Sequence, residues 1–318
     1  MIFLAVSLLV LLFPGNAHAW GAGIHLQLGA DVLENLHTLN PAVAAVLLRC
    51  PYDFLYGCIA ADITIGKKFT HYLLHCHRWD MGLRVLEKAR GDAQKACAYG
   101  YLAHLAADTV AHNFYVPYRN MLSFPSLALK HTYWEMRFET FVERDVWELG
   151  KKVAAENTAD NDALLRRVLS DTLFSFGTNK RIFNSILVVS RLEKWQQVMK
   201  TLTGRSRYPL DEEDRRDYLE LARGAVFEFL RDLEEAPCFQ ADPTGEDALE
   251  AAENVRRNLR ALYKSGAISR REGFDRLLGV REQLRRSIRS RSELLQVLAA
   301  EQEATARLRR QYKGPVLI

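Results

Sequence analysis

The chain reads as an all-α protein, and three observations carry that reading. Apolar residues recur at helical spacing through most of the sequence, and no segment alternates apolar and polar residues as a half-buried strand would. Only 9 Pro and 18 Gly punctuate 318 residues, so elements are long and turns few. With 48% hydrophobic and 26% charged residues the balance is that of a folded globular chain, which excludes a disordered or collagenous one.

Taken in order, Ile2 to Phe13 is an apolar run ended by Pro14-Gly15-Asn16 and followed by Ala17-His18-Ala19. The run is too short for a membrane-spanning helix, which needs roughly 20 residues. An apolar stretch before A-x-A reads as a secretory signal peptide over residues 1–19, although no Lys or Arg precedes it. The mature chain is then expected to begin at Trp20, exported to the periplasm or beyond the cell, where it would be free or membrane-associated.

Leu26, Leu28, Val32, Leu33 and Leu36 give the first helix its apolar face, and Pro41 starts a second. Residues 57–68 read as a loop, 80–89 and 93–112 as helices rich in Ala and Leu, 113–130 as an aromatic, Pro-containing connection, and 131–150 as a further helix. A Gly, Ser, Arg and Pro stretch over 201–209 suggests a boundary. Beyond it, 211–233, 246–263 and 281–310 have helical periodicity and many charges. The expected organisation is a catalytic region over 20–200 and a charged helical region over 201–318. No internal repeat stands out. The five cysteines, Cys50, Cys58, Cys76, Cys97 and Cys238, are odd in number and form no CxxC pair, so no disulfide and no zinc knuckle is assigned.

The net charge of +4 is uneven: residues 251–318 hold 16 Lys and Arg against 7 Asp and Glu. Any electrostatic partner is therefore expected at the C-terminal helices, an anionic membrane surface being one candidate. A charge run of this kind is also what a solvated helix face looks like, and no specific nucleic acid is predicted.

Of nine histidines, one is in the signal segment and the rest lie between His25 and His131. In His104-Leu-Ala-Ala-Asp108-Thr-Val-Ala-His112 the three polar residues are spaced i, i+4, i+8. They fan over only about 80° of a helix, on a face with apolar neighbours. Two imidazoles and a carboxylate inside a helical core need partners, and a metal supplies them. His131-Thr-Tyr-Trp-Glu135 is a second i, i+4 pair, and facing helices can build metal sites in a bundle core. Asp62 sits in an apolar setting that fits either a ligand or a turn residue. His71, His75 and His77 share one segment. Trp20-Gly-Ala-Gly-Ile-His25 would expose an α-amino group with a pKa near 7.7–8.0, whose proton a metal readily displaces.

In this order the pieces resemble the zinc-dependent phospholipase C superfamily, which includes the S1/P1-type nucleases. The resemblance covers Trp20 to Gly150 and implies a helical bundle holding three zinc ions in a cleft, with an additional C-terminal helical region. It implies that Trp20 and His25 hold one ion. A loop histidine, His104 and Asp108 hold a second, with Asp108 bridging, and His112, His131 and Glu135 hold the third. Asp62 is implied as ligand or general base. His77, followed by Arg-Trp-Asp80, matches the secreted phospholipases, whereas His71 in Thr-His-Tyr matches the phospholipase C/D branch, as does the HxAADxxxH spacing. Both histidines stay open.

The implied activity is phospholipase C-type hydrolysis of a phospholipid by a zinc-bound hydroxide oriented by Asp62. One alternative is a nuclease or nucleotidase on the same trinuclear site. Another is a non-catalytic membrane-surface protein with a relict zinc site. Phe114, Tyr115, Tyr118 and Phe124 fit either a cleft mouth or core packing.

Overall fold

The computed structural model describes residues 20–63, 76–126, 131–169, 175–190 and 210–312, with the single positions 197, 201 and 208. Helices dominate, and no strand occurs among the described residues. The first half comprises α1 (Ala22–Glu34), α2 (Pro41–Arg49), α3 (Pro51–Ala60), α4 (Trp79–Lys88), α5 (Gly91–Val110), α6 (Val116–Leu122) and α7 (His131–Glu139). The second comprises α8 (Arg144–Ala155), α9 (Ala159–Val168), α10 (Phe176–Ser190), α11 (Glu212–Asp232), α12 (Glu246–Lys264), α13 (Arg270–Ser287) and α14 (Arg291–Tyr312).

Local chemistry sets several boundaries. Asn40 caps α2, its side chain accepting from the Ala42 amide, and Pro41 occupies the first turn. Asp211 caps α11 through the Asp214 amide. Ser269 and Glu272 form a reciprocal capping box at the start of α13.

The central element is α5. From Ala96 to Val110 nearly every residue of it is buried, because α3, α4, α2 and α11 surround it. Such a helix is apolar on all sides rather than on one stripe. It crosses α3 at unusually short range. A Cβ on Gly100 would lie 2.1 Å from the Phe54 carbonyl oxygen, and one on Gly57 would lie 2.0 Å from that of Cys97. Glycine at both positions lets the two backbones touch.

One contiguous cluster of buried apolar side chains runs from Trp20 to Leu298, so α11 to α14 share the core of the first half. Cations of the C-terminal helices are engaged at the seams: Arg281 with Asp214 and Asp217, Arg285 with Asp217, Arg276 with Glu301, Arg289 with Glu228, and Arg291 with Asp247. The Arg276–Glu301 pair ties α13 to α14, and the others tie α13, α14 and the link between them to α11 and α12.

The structure corrects four boundaries. Residues 57–63, expected as loop, complete α3 and a 3-10 turn (Ala61–Ile63). The expected connection after His112 is helical: α5 runs through a π-turn (Ala111–Tyr115) into α6. Pro117 has no amide hydrogen for the ladder there, and within the turn the Asn113 side chain donates to the Thr109 carbonyl (2.8 Å). The 131–150 helix is two helices, α7 and α8. The long helix expected over 281–310 starts earlier, at Arg270, and breaks at Ser290, whose hydroxyl accepts from the Glu293 amide that opens α14.

Candidate metal centre

Four elements deliver polar side chains to one interior point. α5 contributes His104, Asp108 and, one turn on in the π-turn, His112, all essentially fully buried. α1 contributes His25, and the 3-10 turn after α3 contributes Asp62. The short turn before α4 contributes His77, also buried. Its chain is fixed next door: the Tyr101 hydroxyl donates to the Cys76 carbonyl, and Trp79 stacks on Phe229 with ring centroids 5.2 Å apart.

Around His77 and His104 the donor atoms sit at zinc-ligand spacing. His77 Nε2 lies 3.1 Å from His104 Nε2, 3.1 Å from Asp62 Oδ1 and 3.4 Å from Asp108 Oδ2. His104 Nε2 lies 3.2 Å from Asp108 Oδ2 and 3.8 Å from Asp62 Oδ1. A tetrahedral zinc with bonds of about 2.0–2.1 Å needs donors about 3.3 Å apart, which these separations bracket. The other oxygen of Asp108 faces a different imidazole, His25 Nε2 at 3.4 Å. Asp108 is thus built as a bridge, its two oxygens serving two neighbouring donor groups. His25, Asp62 and His104 form a second compact donor trio.

Hydrogen bonds behind the cluster set the ring tautomers. His104 Nδ1 donates to the Cys58 carbonyl (2.9 Å) and His112 Nδ1 to the Pro243 carbonyl (2.6 Å), which leaves the lone pair on Nε2 in each ring. The first of these bonds depends on the close α3–α5 crossing, since Cys58 and His104 lie on opposite sides of it. The His25 and His104 rings stack at 3.7 Å.

Electrostatics follow the packing. Burial, with His104 adding to it, lowers the His25 imidazole. Burial would lower His104 too, but the Asp108 and Asp62 carboxylates outweigh it and raise that ring. Burial works to raise Asp108, yet His104 and His112 hold its carboxyl well below the usual range. Among the described residues His25 Nε2 and both Asp108 oxygens are buried without a hydrogen-bond partner. Buried donors and acceptors left in that state are costly, and a cation at the centre of the cluster satisfies them together. The donor set therefore fits zinc.

The N-terminal rim is equally ordered. Trp20 is fully buried, its ring against Phe138 (5.4 Å) and Tyr115 (6.4 Å). Directly after it the first turn of α1 is covered by Glu139, whose carboxylate accepts from the Ile24 amide (3.1 Å). An acid over these amides suits a helix N-terminus. Burial pushes the Glu139 carboxyl up to about 7, against the opposing pull of the Ile24 and Gly23 amides. A Cβ on Gly21 would meet that carboxylate at 2.5 Å, and one on Gly23 would meet Trp147 at 2.8 Å, which accounts for both glycines of Trp20-Gly-Ala-Gly. Sequence reading overlooked Glu139. The signal was present: His131, Glu135 and Glu139 continue the same i, i+4, i+8 register.

Glu135 is buried on α7. His131 opens that helix, but its side chain lies outside the described residues, as do His71 and His75 and the segment 1–19. His77 joins the donor cluster. Phe114, Tyr115, Tyr118 and Phe124 belong to the core, packed against Tyr218 and Phe274 among others. They are not a cleft mouth.

Residues 24–175 match the family model for zinc dependent phospholipase C, a segment that contains every histidine and carboxylate of the cluster. No curated protein and no solved structure matches the chain.

Proposed function

We propose that this chain, whose residues 24–175 match the zinc dependent phospholipase C family model, is a zinc-dependent phosphodiesterase that cleaves phospholipids on the glycerol side of phosphorus. The observation that carries the reading is the donor group of His77, His104, Asp62 and Asp108, spaced 3.1–3.8 Å apart around one point.

In this reading His77, His104 and Asp108 would hold one zinc ion, with Asp62 beside them as ligand or general base. Asp108, whose second oxygen faces His25, would also serve a second ion held by His25 and the freed amine and carbonyl of Trp20. His112, His131 and Glu135 hold a third. Zinc bound there supplies positive charge for a phosphodiester and lowers the pKa of water towards 7. The chain's own residues do the rest. His104 and His112, fixed at Nδ1 by backbone carbonyls, keep Nε2 unprotonated for binding. The Asp62 carboxylate accepts the proton of the attacking water. Burial of the cluster under α1 and α5 keeps bulk water from competing.

Residues 1–19 are the export signal in this account, and cleavage after Ala19 creates the Trp20 amine. The lipid reading leads the nuclease reading because residues 24–175 match the zinc dependent phospholipase C model. An anionic membrane contact would rest on the arginines of α13 and α14 outside the pairs described above.

The decisive experiment measures zinc in the mature protein beginning at Trp20. In parallel, release of phosphate esters from a panel of phospholipids is compared with cleavage of single-stranded DNA. Two or more equivalents of zinc with lipid turnover are expected. Zinc-free protein without activity on either substrate would end the proposal, and turnover of DNA alone would transfer it to the nuclease branch.

A further inference from the structure

We propose that the turn over residues 241–245, supplied by the C-terminal third and lying outside the family-matched segment, is a positioning element of the metal centre that locks His112 in its ligating tautomer and aim. The inference rests on the zinc reading above and assigns a role to a region for which the sequence suggests none.

The turn touches the centre at three points. The Pro243 carbonyl accepts from His112 Nδ1 at 2.6 Å, from a residue 131 positions away in sequence. The Asp242 carbonyl accepts from the side chain of Asn113 (2.7 Å), which also bonds back to Thr109 (2.8 Å). The Ala241 carbonyl accepts from the indole of Trp79 (2.9 Å), two residues beyond His77. One five-residue turn thus faces the chain at two of the cluster's histidines.

The turn is itself rigid. Asp242 Oδ1 accepts from both the amide (3.0 Å) and the hydroxyl (2.9 Å) of Thr244, which is buried. Arg291 at the start of α14 lies 3.8 Å from Asp242 and 2.7 Å from Asp247. Gly245 closes the turn in the left-handed region (φ +58°), where a Cβ would lie 2.5 Å from both the Cβ and the carbonyl oxygen of His112. The backbone at 245 is therefore seated directly on the histidine, and only glycine allows that approach.

The physical role follows from the π-turn. His112 stands in the π-turn that follows α5, so its ring is aimed by a backbone geometry different from that which aims His104. Without the Pro243 carbonyl either nitrogen could carry the proton and the ring could rotate. With it, the proton is held at Nδ1 and Nε2 is left to bind. Outer-sphere carbonyls of this kind typically alter metal affinity 10–100-fold.

The test compares the mature wild type with Gly245→Ala, and with Thr244→Val as a milder variant that keeps volume and removes the hydroxyl bonds to Asp242. Zinc stoichiometry is measured after equilibration against graded chelator, with circular dichroism and melting as fold controls. The expected result is selective weakening, by 10-fold or more, of the zinc equivalent that His112 helps to hold. The more strongly held zinc and the helical spectrum stay as in the wild type. If Gly245→Ala does not fold, the same selective loss is expected in Thr244→Val. Wild-type protein that holds zinc while the folded variants retain the full complement at every chelator concentration would overturn the positioning role. Wild-type protein that holds no zinc would overturn the metal reading itself.

Discussion

Replacing Gly100 with alanine probes whether the metal centre depends on the closeness of two helices. The added Cβ would lie 2.1 Å from the Phe54 oxygen and 2.7 Å from the Cys58 nitrogen, where ordinary contacts begin at 3.4 Å. Both opposing atoms are backbone, so relief requires α3 and α5 to part by more than an ångström. Overpacking of this kind costs about 1–3 kcal/mol, with rigid backbone contacts at the upper end. Alanine returns about 1 kcal/mol of helix propensity, leaving a net loss of roughly 2 kcal/mol. For a protein of this size that lowers the melting temperature by roughly 3 °C. The same separation stretches the 2.9 Å bond from His104 Nδ1 to the Cys58 carbonyl beyond hydrogen-bonding range, so zinc retention against chelator should fall as well. Thermal melts of the metal-free and zinc-loaded variant measure the two effects separately. Gly279→Ala is the control: it lies inside α13 with no described atom within 4 Å of the new Cβ, and should gain about 0.5–1 kcal/mol. A Gly100→Ala protein that melts with the wild type and keeps its zinc would refute the crossing argument.

Two further outcomes follow from named groups. Glu139 has its carboxyl raised from 4.5 to about 7. Below 4.5 both folded and unfolded states hold its proton. Between 4.5 and 7 only the folded state does, so its contribution to stability declines as pH rises through that window. Glu139→Gln should flatten this decline in metal-free protein by on the order of 1–3 kcal/mol between pH 5 and 8, and matching urea-unfolding curves for the two proteins would remove Glu139 from the account. Asp62→Asn should reduce turnover by roughly 10²-fold or more, as loss of a general base does, while much of the zinc stays bound; an unimpaired variant would take Asp62 out of the reaction.

The candidate donor cluster on α5 was legible because helical period and chemistry coincide in it. His104, Asp108 and His112 share a face by spacing alone, and an interior face with three polar groups is unusual enough to be read without coordinates. The loop residues were harder. Asp62 could be singled out only as a carboxylate among apolar neighbours, and nothing local separated it from a turn cap. Choosing among His71, His75 and His77 required knowing what the turn before α4 packs against. Glu139 was passed over because the register was followed for one step, from His131 to Glu135, and not for the next.

The basic C-terminal helices carry contacts that composition does not reveal. Several of their cations find acids on α11 and α12 more than 40 positions away in sequence.

Sequence alone determined the helical class, the run of metal-binding residue types and the family they resemble, because each is written in spacings of a few residues along one helix. Tertiary structure decided that Asp108 turns its two oxygens to different imidazoles, that glycines at 57 and 100 bring Cys58 to His104, and that the Pro243 carbonyl meets His112. Those contacts join segments 46 and 131 positions apart. Their existence depends on how close two backbones can come, a quantity set by packing in three dimensions and by no local pattern.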